Sequence, residues 1–95
     1  MKTFLCSHLV TVRWSNRETV ANLERISPAV ATINSEDPLP VGAPATLSTP
    51  DCELRGAVTS CTLDLSGYEI DITLDEPWSL ASFSPDHLFD PSTCA

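Results

Sequence analysis

Between Tyr68 and Asp75 the chain alternates without a break. Tyr68, Ile70, Ile72 and Leu74 are apolar, while Glu69, Asp71, Thr73 and Asp75 are polar. A side-chain period of two puts the first set on one face of a strand and the second on the other. The segment predicts a half-buried antiparallel strand with one solvated face. Such a strand needs partners to cover its apolar side, and the rest of the chain supplies them.

Helical periodicity is nearly absent, and short alternating runs recur between turn signals. Residues 8–14 alternate, with Val10, Val12 and Trp14 on one face. Ser15 and Asn16 form a tight turn by composition. Residues 18–26 run back as a second strand, with Val20 among its inward positions. Proline is confined to the edges and bulges of sheets, so Ser27–Pro28 marks a bend before a third strand at residues 29–33. Residues 36–44 read as a loop. A short strand follows at 45–47, then a turn at 49–51. Residues 53–63 make the longest strand, with Gly56 expected at a bulge, and residues 64–67 turn into the alternating strand. Near the end, Ser84, Pro85 and Asp86 read as an N-cap, a first-turn proline and an acidic first turn. They predict one helical turn over residues 84–89 that plugs a barrel end, anchored by Trp78, Phe83, Leu88 and Phe89. Trp14 and Trp78 are the expected core aromatics. The expected fold is all-β: a small six-stranded antiparallel barrel with a short C-terminal helical turn, residues 1–95 forming a single domain.

Composition narrows the function. A chain of 95 residues leaves no room for a separate catalytic domain. Five basic against thirteen acidic residues give a formal charge of −8. That charge repels phosphate backbones and gives no attraction to anionic lipid, so neither nucleic acid nor membrane is an expected partner. No apolar run approaches the ~18 residues of a spanning helix. The apolar stretch before Cys6 is shorter than the roughly 7–15 residues of a secretion signal, so the expected location is the cytoplasm. With three glycines there is no phosphate-cradling loop, and no Gly-x-Ser-x-Gly occurs. Asp64, Glu69, Asp71, Asp75 and Glu76 read as a solvated face. His8 and His87 have no cysteine at metal spacing. No enzyme activity is expected.

Four cysteines stand at Cys6, Cys52, Cys61 and Cys94. Their spacing is not that of a zinc site, and thiols stay reduced in the cytosol. Buried free thiols are expected. Were disulfides to form, Cys52–Cys61 across a hairpin and Cys6–Cys94 tying the termini would be the pairing. A small redox or metal module built on these cysteines is one alternative function.

Several phrases carry a family likeness. The run from Leu23 to Ala31, the loop Asp37-Pro38-Leu39-Pro40-Val41-Gly42, the strand opening Glu53-Leu54-Arg55-Gly56-Ala57-Val58 and the strand Gly67-Tyr68-Glu69-Ile70-Asp71-Ile72 follow in the order of a PilZ domain. Over residues 8–90 the chain resembles that family, the bacterial cyclic-di-GMP receptor module. The resemblance implies a six-stranded barrel and two ligand motifs. One is Arg-x-x-x-Arg before the first strand, whose guanidinium groups grip phosphate and stack on guanine. The other is Asp/Asn-x-Ser-x-x-Gly, whose glycine lets the ligand approach the backbone.

Here Ser27 matches the second motif, but Arg25 stands at its Asp/Asn and Val30 at its Gly. An acceptor has become a donor-only cation, and a branched side chain occupies the open position. Arg13 and Arg17 fit the first motif by spacing, yet they flank the predicted turn between strands one and two. The resemblance therefore implies a bacterial signalling adaptor that has lost cyclic di-GMP and works through a protein partner, with no cofactor. Its alternative is a cyclic-di-GMP receptor whose pocket is rearranged from Arg13, Arg17, Arg25 and Ser27.

Overall fold

The computed structural model describes residues 2–91. Six strands follow one another: β1 (Phe4–Trp14), β2 (Arg17–Ile26), β3 (Val30–Ser35), β4 (Pro44–Ser48), β5 (Glu53–Asp64) and β6 (Gly67–Leu74). Every neighbouring pair is antiparallel, and the sheet closes into a barrel in the order β1-β2-β3-β6-β5-β4. The all-β, six-stranded barrel expected from the sequence is the observed architecture. No helix among the described residues is long and apolar enough to cross a membrane.

Alternation decides what lies inside. Val10, Val12 and Trp14 of β1 are buried, as are Ile70, Ile72 and Leu74 of β6. Leu23, Ile26, Ile33, Leu47 and Val58 meet them from the other strands. Val20 is a correction: it is 59% exposed. The β1–β2 register sets Thr19 against Val12 and Ala21 against Val10, so residues 19, 21 and 23 of β2 point inward. With a period of two, a one-residue error of phase moves a side chain to the opposite face.

Gly56 is a second correction. It sits in unbroken register between Ala45 of β4 and Leu74 of β6, while the bulge falls between Val58 and Ser60. The glycine is needed for close approach instead. A Cβ there would lie 2.2 Å from the Thr73 carbonyl oxygen and 2.9 Å from an Ile72 methyl.

The antiparallel order sorts the connections to two ends of the barrel. The β1–β2 turn at Ser15 and Asn16, the β3–β4 loop and the β5–β6 turn lie at one end. The β2–β3 bend, the β4–β5 turn and the segment after β6 lie at the other. The bend is a tight turn in which Ser27 N–H donates to the Val30 carbonyl at 2.9 Å.

The segment after β6 closes that second end. Trp78 and Phe83 are buried, as expected. Trp78 N–H donates to the Pro28 carbonyl at 3.0 Å, its indole Nε1–H donates to the Phe83 carbonyl at 2.9 Å, and Phe4 packs edge-on against it. Residues 84–89 do not form the expected helical turn. They turn at Asp86 and His87, where His87 takes a left-handed φ of 57°. Phe89 then bridges to Leu5 through paired backbone hydrogen bonds of 2.7 and 2.8 Å, and its side chain is 44% exposed. A left-handed residue and an edge pairing leave no room for a helix.

Candidate functional site

The four arginine and serine positions singled out by sequence do not form one patch. Arg13 lies on the outer face of β1, where Nη2 donates to Glu53 Oε2 at 3.1 Å and to Ser48 Oγ at 3.1 Å. Arg55 reaches the other oxygen of the same carboxylate, with Nε at 2.9 Å and Nη2 at 2.8 Å. Glu53 thereby holds two guanidinium groups. Arg17 opens β2, is exposed, and has no ion pair among the described residues.

Arg25 lies eight residues further along β2, roughly 26 Å of extended chain from Arg17. It stands in register with Leu5 of β1 and Thr32 of β3, and pairs with the Glu69 carboxylate on β6. Arg13 and Arg17 flank the turn end of the β1–β2 hairpin, and Arg25 and Ser27 belong to the opposite end.

Ser27 is buried and its hydroxyl is committed locally. Oγ accepts from Val30 N–H at 3.1 Å and donates to the Val30 carbonyl at 3.3 Å. The backbone around it is committed too. Pro28 and Ala29 give their carbonyls to Trp78 and Leu74, at 3.0 and 2.8 Å. Val30 opens β3 opposite Thr73. An incoming base at this strand would meet a donor-only guanidinium, a hydroxyl already bonded and a branched side chain.

Sequence reasoning missed the partners. Glu69 faces outward on β6, as alternation predicts, but its meeting with Arg25 depends on β3 lying between β2 and β6. Glu53 was legible only as a strand residue. It lines a cleft of about 450 Å³ with Cys52, Leu54, Arg55, Asp75, Glu76, Pro77 and Ser82. Three carboxylates stand there against one guanidinium, a poor setting for an anionic dinucleotide.

The described thiols are scattered. Cys52 lies at the β4–β5 turn, with its N–H bonded to Thr49 Oγ1 at 3.0 Å, and Cys61 lies on β5 opposite Ile70. Both are free, so the Cys52–Cys61 pairing is not formed: each belongs to a different end of β5. The Cys6–Cys94 pairing involves a residue outside those described. Cys6 Sγ donates to the Leu23 carbonyl at 3.4 Å. Burial, and then the nearby Glu24 charge, push its thiol from 9.0 up to about 11. Among the described residues no three histidine, cysteine, aspartate or glutamate side chains are placed to hold a metal ion. Comparison with family models, with curated proteins and with solved structures finds no match for this chain.

Proposed function

We propose that this chain is a PilZ-like barrel that has lost its dinucleotide ligand and serves as a non-enzymatic adaptor in bacterial, cytoplasmic signalling. The observation that carries the reading is the state of the strand Arg25 to Val30. Arg25 is engaged by Glu69, and Ser27 spends its hydroxyl on Val30. The side chain of Val30 stands where close approach of a ligand needs none. The separation of Arg13 and Arg17 from Ser27 supports the same reading, because a phosphate-gripping pair must lie beside the base-reading strand. The charge of −8 adds a general repulsion toward a dianionic ligand.

What remains is a closed barrel with solvated strand faces, the kind of surface through which a small barrel engages a protein. Calorimetric titration of cyclic di-GMP into the purified protein tests the reading. It expects no saturable heat. Micromolar or tighter binding would replace it with a cyclic-di-GMP receptor.

A further inference from the structure

The β5–β6 hairpin outruns β4. β4 covers β5 at residues 53–57, and the turn before β4 adds one step: Val58 N–H donates to the Ala43 carbonyl at 2.9 Å, and its own carbonyl accepts from Gly42 N–H at 2.7 Å. A bulge follows between Val58 and Ser60. Beyond it, residues 60–64 are paired with β6 alone, and among the described residues no backbone is bonded to their other side. This edge runs out to the hairpin tip at Leu65 and Ser66, so no strand bounds it there. The ladder shows which groups point outward. Asp75 N–H donates to the Arg55 carbonyl at 2.8 Å, so β6 turns the backbone of its odd-numbered residues toward β5. Their partners Ser60, Thr62 and Asp64 face β6 in return, which leaves the N–H and carbonyl of Cys61 and Leu63 on the free edge. Such an edge is a template for another strand, and residues 60–64 contain neither the proline nor the lysine that commonly guards one.

Apolar side chains accompany it. Cys61 and Leu63 lie opposite Ile70 and Tyr68, on the face that lines the core. Past the rim that face is bare: Leu63 is 68% exposed, and Leu65 at the tip is fully exposed.

The edge is complementary to itself. A dyad at Thr62 sets Cys61 of each copy against Leu63 of the other, and every outward group then meets regular strand. A dyad at Cys61 would set Leu63 against the bulge, and a dyad at Leu63 would set Cys61 against the turn. In the Thr62 register Asp64 meets Ser60, so no charge meets its like. Asp64 is the single charged residue of the edge, and Glu69, across from Thr62 on β6, is engaged by Arg25. The other charges at this end, Arg17 and Glu18 at the start of β2 and Glu36 and Asp37 in the β3–β4 loop, lie on different elements. One carboxylate gives a charged peptide little to bind, and the cleft at Glu53 belongs to the opposite end of β5. We propose that two copies of this chain associate through residues 60–64 of β5, strand against strand about a dyad at Thr62. Main-chain bonds between Cys61 and Leu63 hold the pair, and the leucines gain cover on the apolar face. Once paired, neither copy has a second β5 edge to offer, so association stops at two. Five residues of edge fall short of the roughly 800 Å² per partner of a stable interface, which makes the dimer a weak one.

Sedimentation of the reduced protein from about 10 μM to about 1 mM should show a monomer–dimer equilibrium centred in the upper part of that range. Each copy carries −8, so raising the salt to physiological strength should strengthen the dimer by screening their repulsion. Leu63→Pro removes an N–H that the monomer leaves unbonded and should weaken the dimer roughly tenfold, the scale of two lost hydrogen bonds. Thr62→Lys, at an exposed position, sets like charges opposite each other and should weaken it about threefold; it carries the test should the proline variant not fold. Thr62→Cys under mild oxidation should give a dimer linked from 62 to 62, because opposed residues of a non-hydrogen-bonded pair lie about 4.5 Å apart at Cα. The proposal is overturned by a monomer throughout, by association beyond the dimer or weakened by salt, by a dimer indifferent to Thr62→Lys, or by cross-links confined to other cysteines. None of these bears on the loss of cyclic di-GMP, which falls only to tight binding of that ligand.

Discussion

Arg25 on β2 forms an ion pair with Glu69 on β6, across the intervening strand β3. The pair is partly exposed, so its contribution to stability is small, on the order of 0–1 kcal/mol. Arg25→Ala and Glu69→Ala should each lower the urea midpoint slightly. The double variant should cost less than the sum of the two, because the second change removes a partner already lost. Strict additivity would show that the two side chains are not coupled.

That pair marks the limit of what the sequence could say. Alternation assigned Glu69 to the outer face of β6 and Ile70 to the core, both correctly, because a period of two is local information. The likeness of the Leu23–Ala31 phrase placed Arg25 near a strand end. Only the closed order of strands brings β2 and β6 to either side of β3, and no local pattern encodes that order. Val20 fails for a related reason: a strand with polar residues on both faces has a weakly specified phase, and the β1 register decided it. The tail fails because an N-cap signal at Ser84 is outweighed by backbone pairing between Phe89 and Leu5.

Gly56→Ala should be costly. Its methyl group would meet the Thr73 carbonyl oxygen, a backbone atom locked in the β5–β6 ladder. Overpacking of this kind costs about 1–3 kcal/mol. Thermal unfolding followed by circular dichroism would register it as a clear fall in midpoint. An unchanged midpoint would show that β5 and β6 can separate freely at this point.

Trp78 holds the end of the barrel with both its ring and its indole N–H. Trp78→Phe keeps most of the packing but leaves the Phe83 carbonyl without its donor, a loss of about 1–3 kcal/mol. Trp78→Ala removes the ring as well and should cost about 3–5 kcal/mol. Denaturant titration of the two variants should therefore rank alanine well below phenylalanine. Equal losses would assign the whole effect to the hydrogen bond.

Cys6 gives stability a dependence on alkaline pH. Its folded-state value of about 11 exceeds the ordinary 9.0, mainly because burial disfavours the thiolate. The stabilisation from the neutral thiol is fully present below 9.0 and is lost as pH rises through about 11. Cys6→Ser should flatten the decline in stability over that window. In the folded protein, alkylation of Cys6 below 9.0 should run about 100-fold slower than for an unshifted thiol, following the drop in thiolate fraction. Labelling at the unshifted rate would place Cys6 in water.

The most direct test of the central claim follows the amides of Arg25, Ser27 and Val30 while cyclic di-GMP is added to the ¹⁵N-labelled protein. The account predicts that these resonances stay where they are, because the guanidinium, the hydroxyl and the backbone are already committed within the barrel. Saturable shifts centred on these three residues would contradict it.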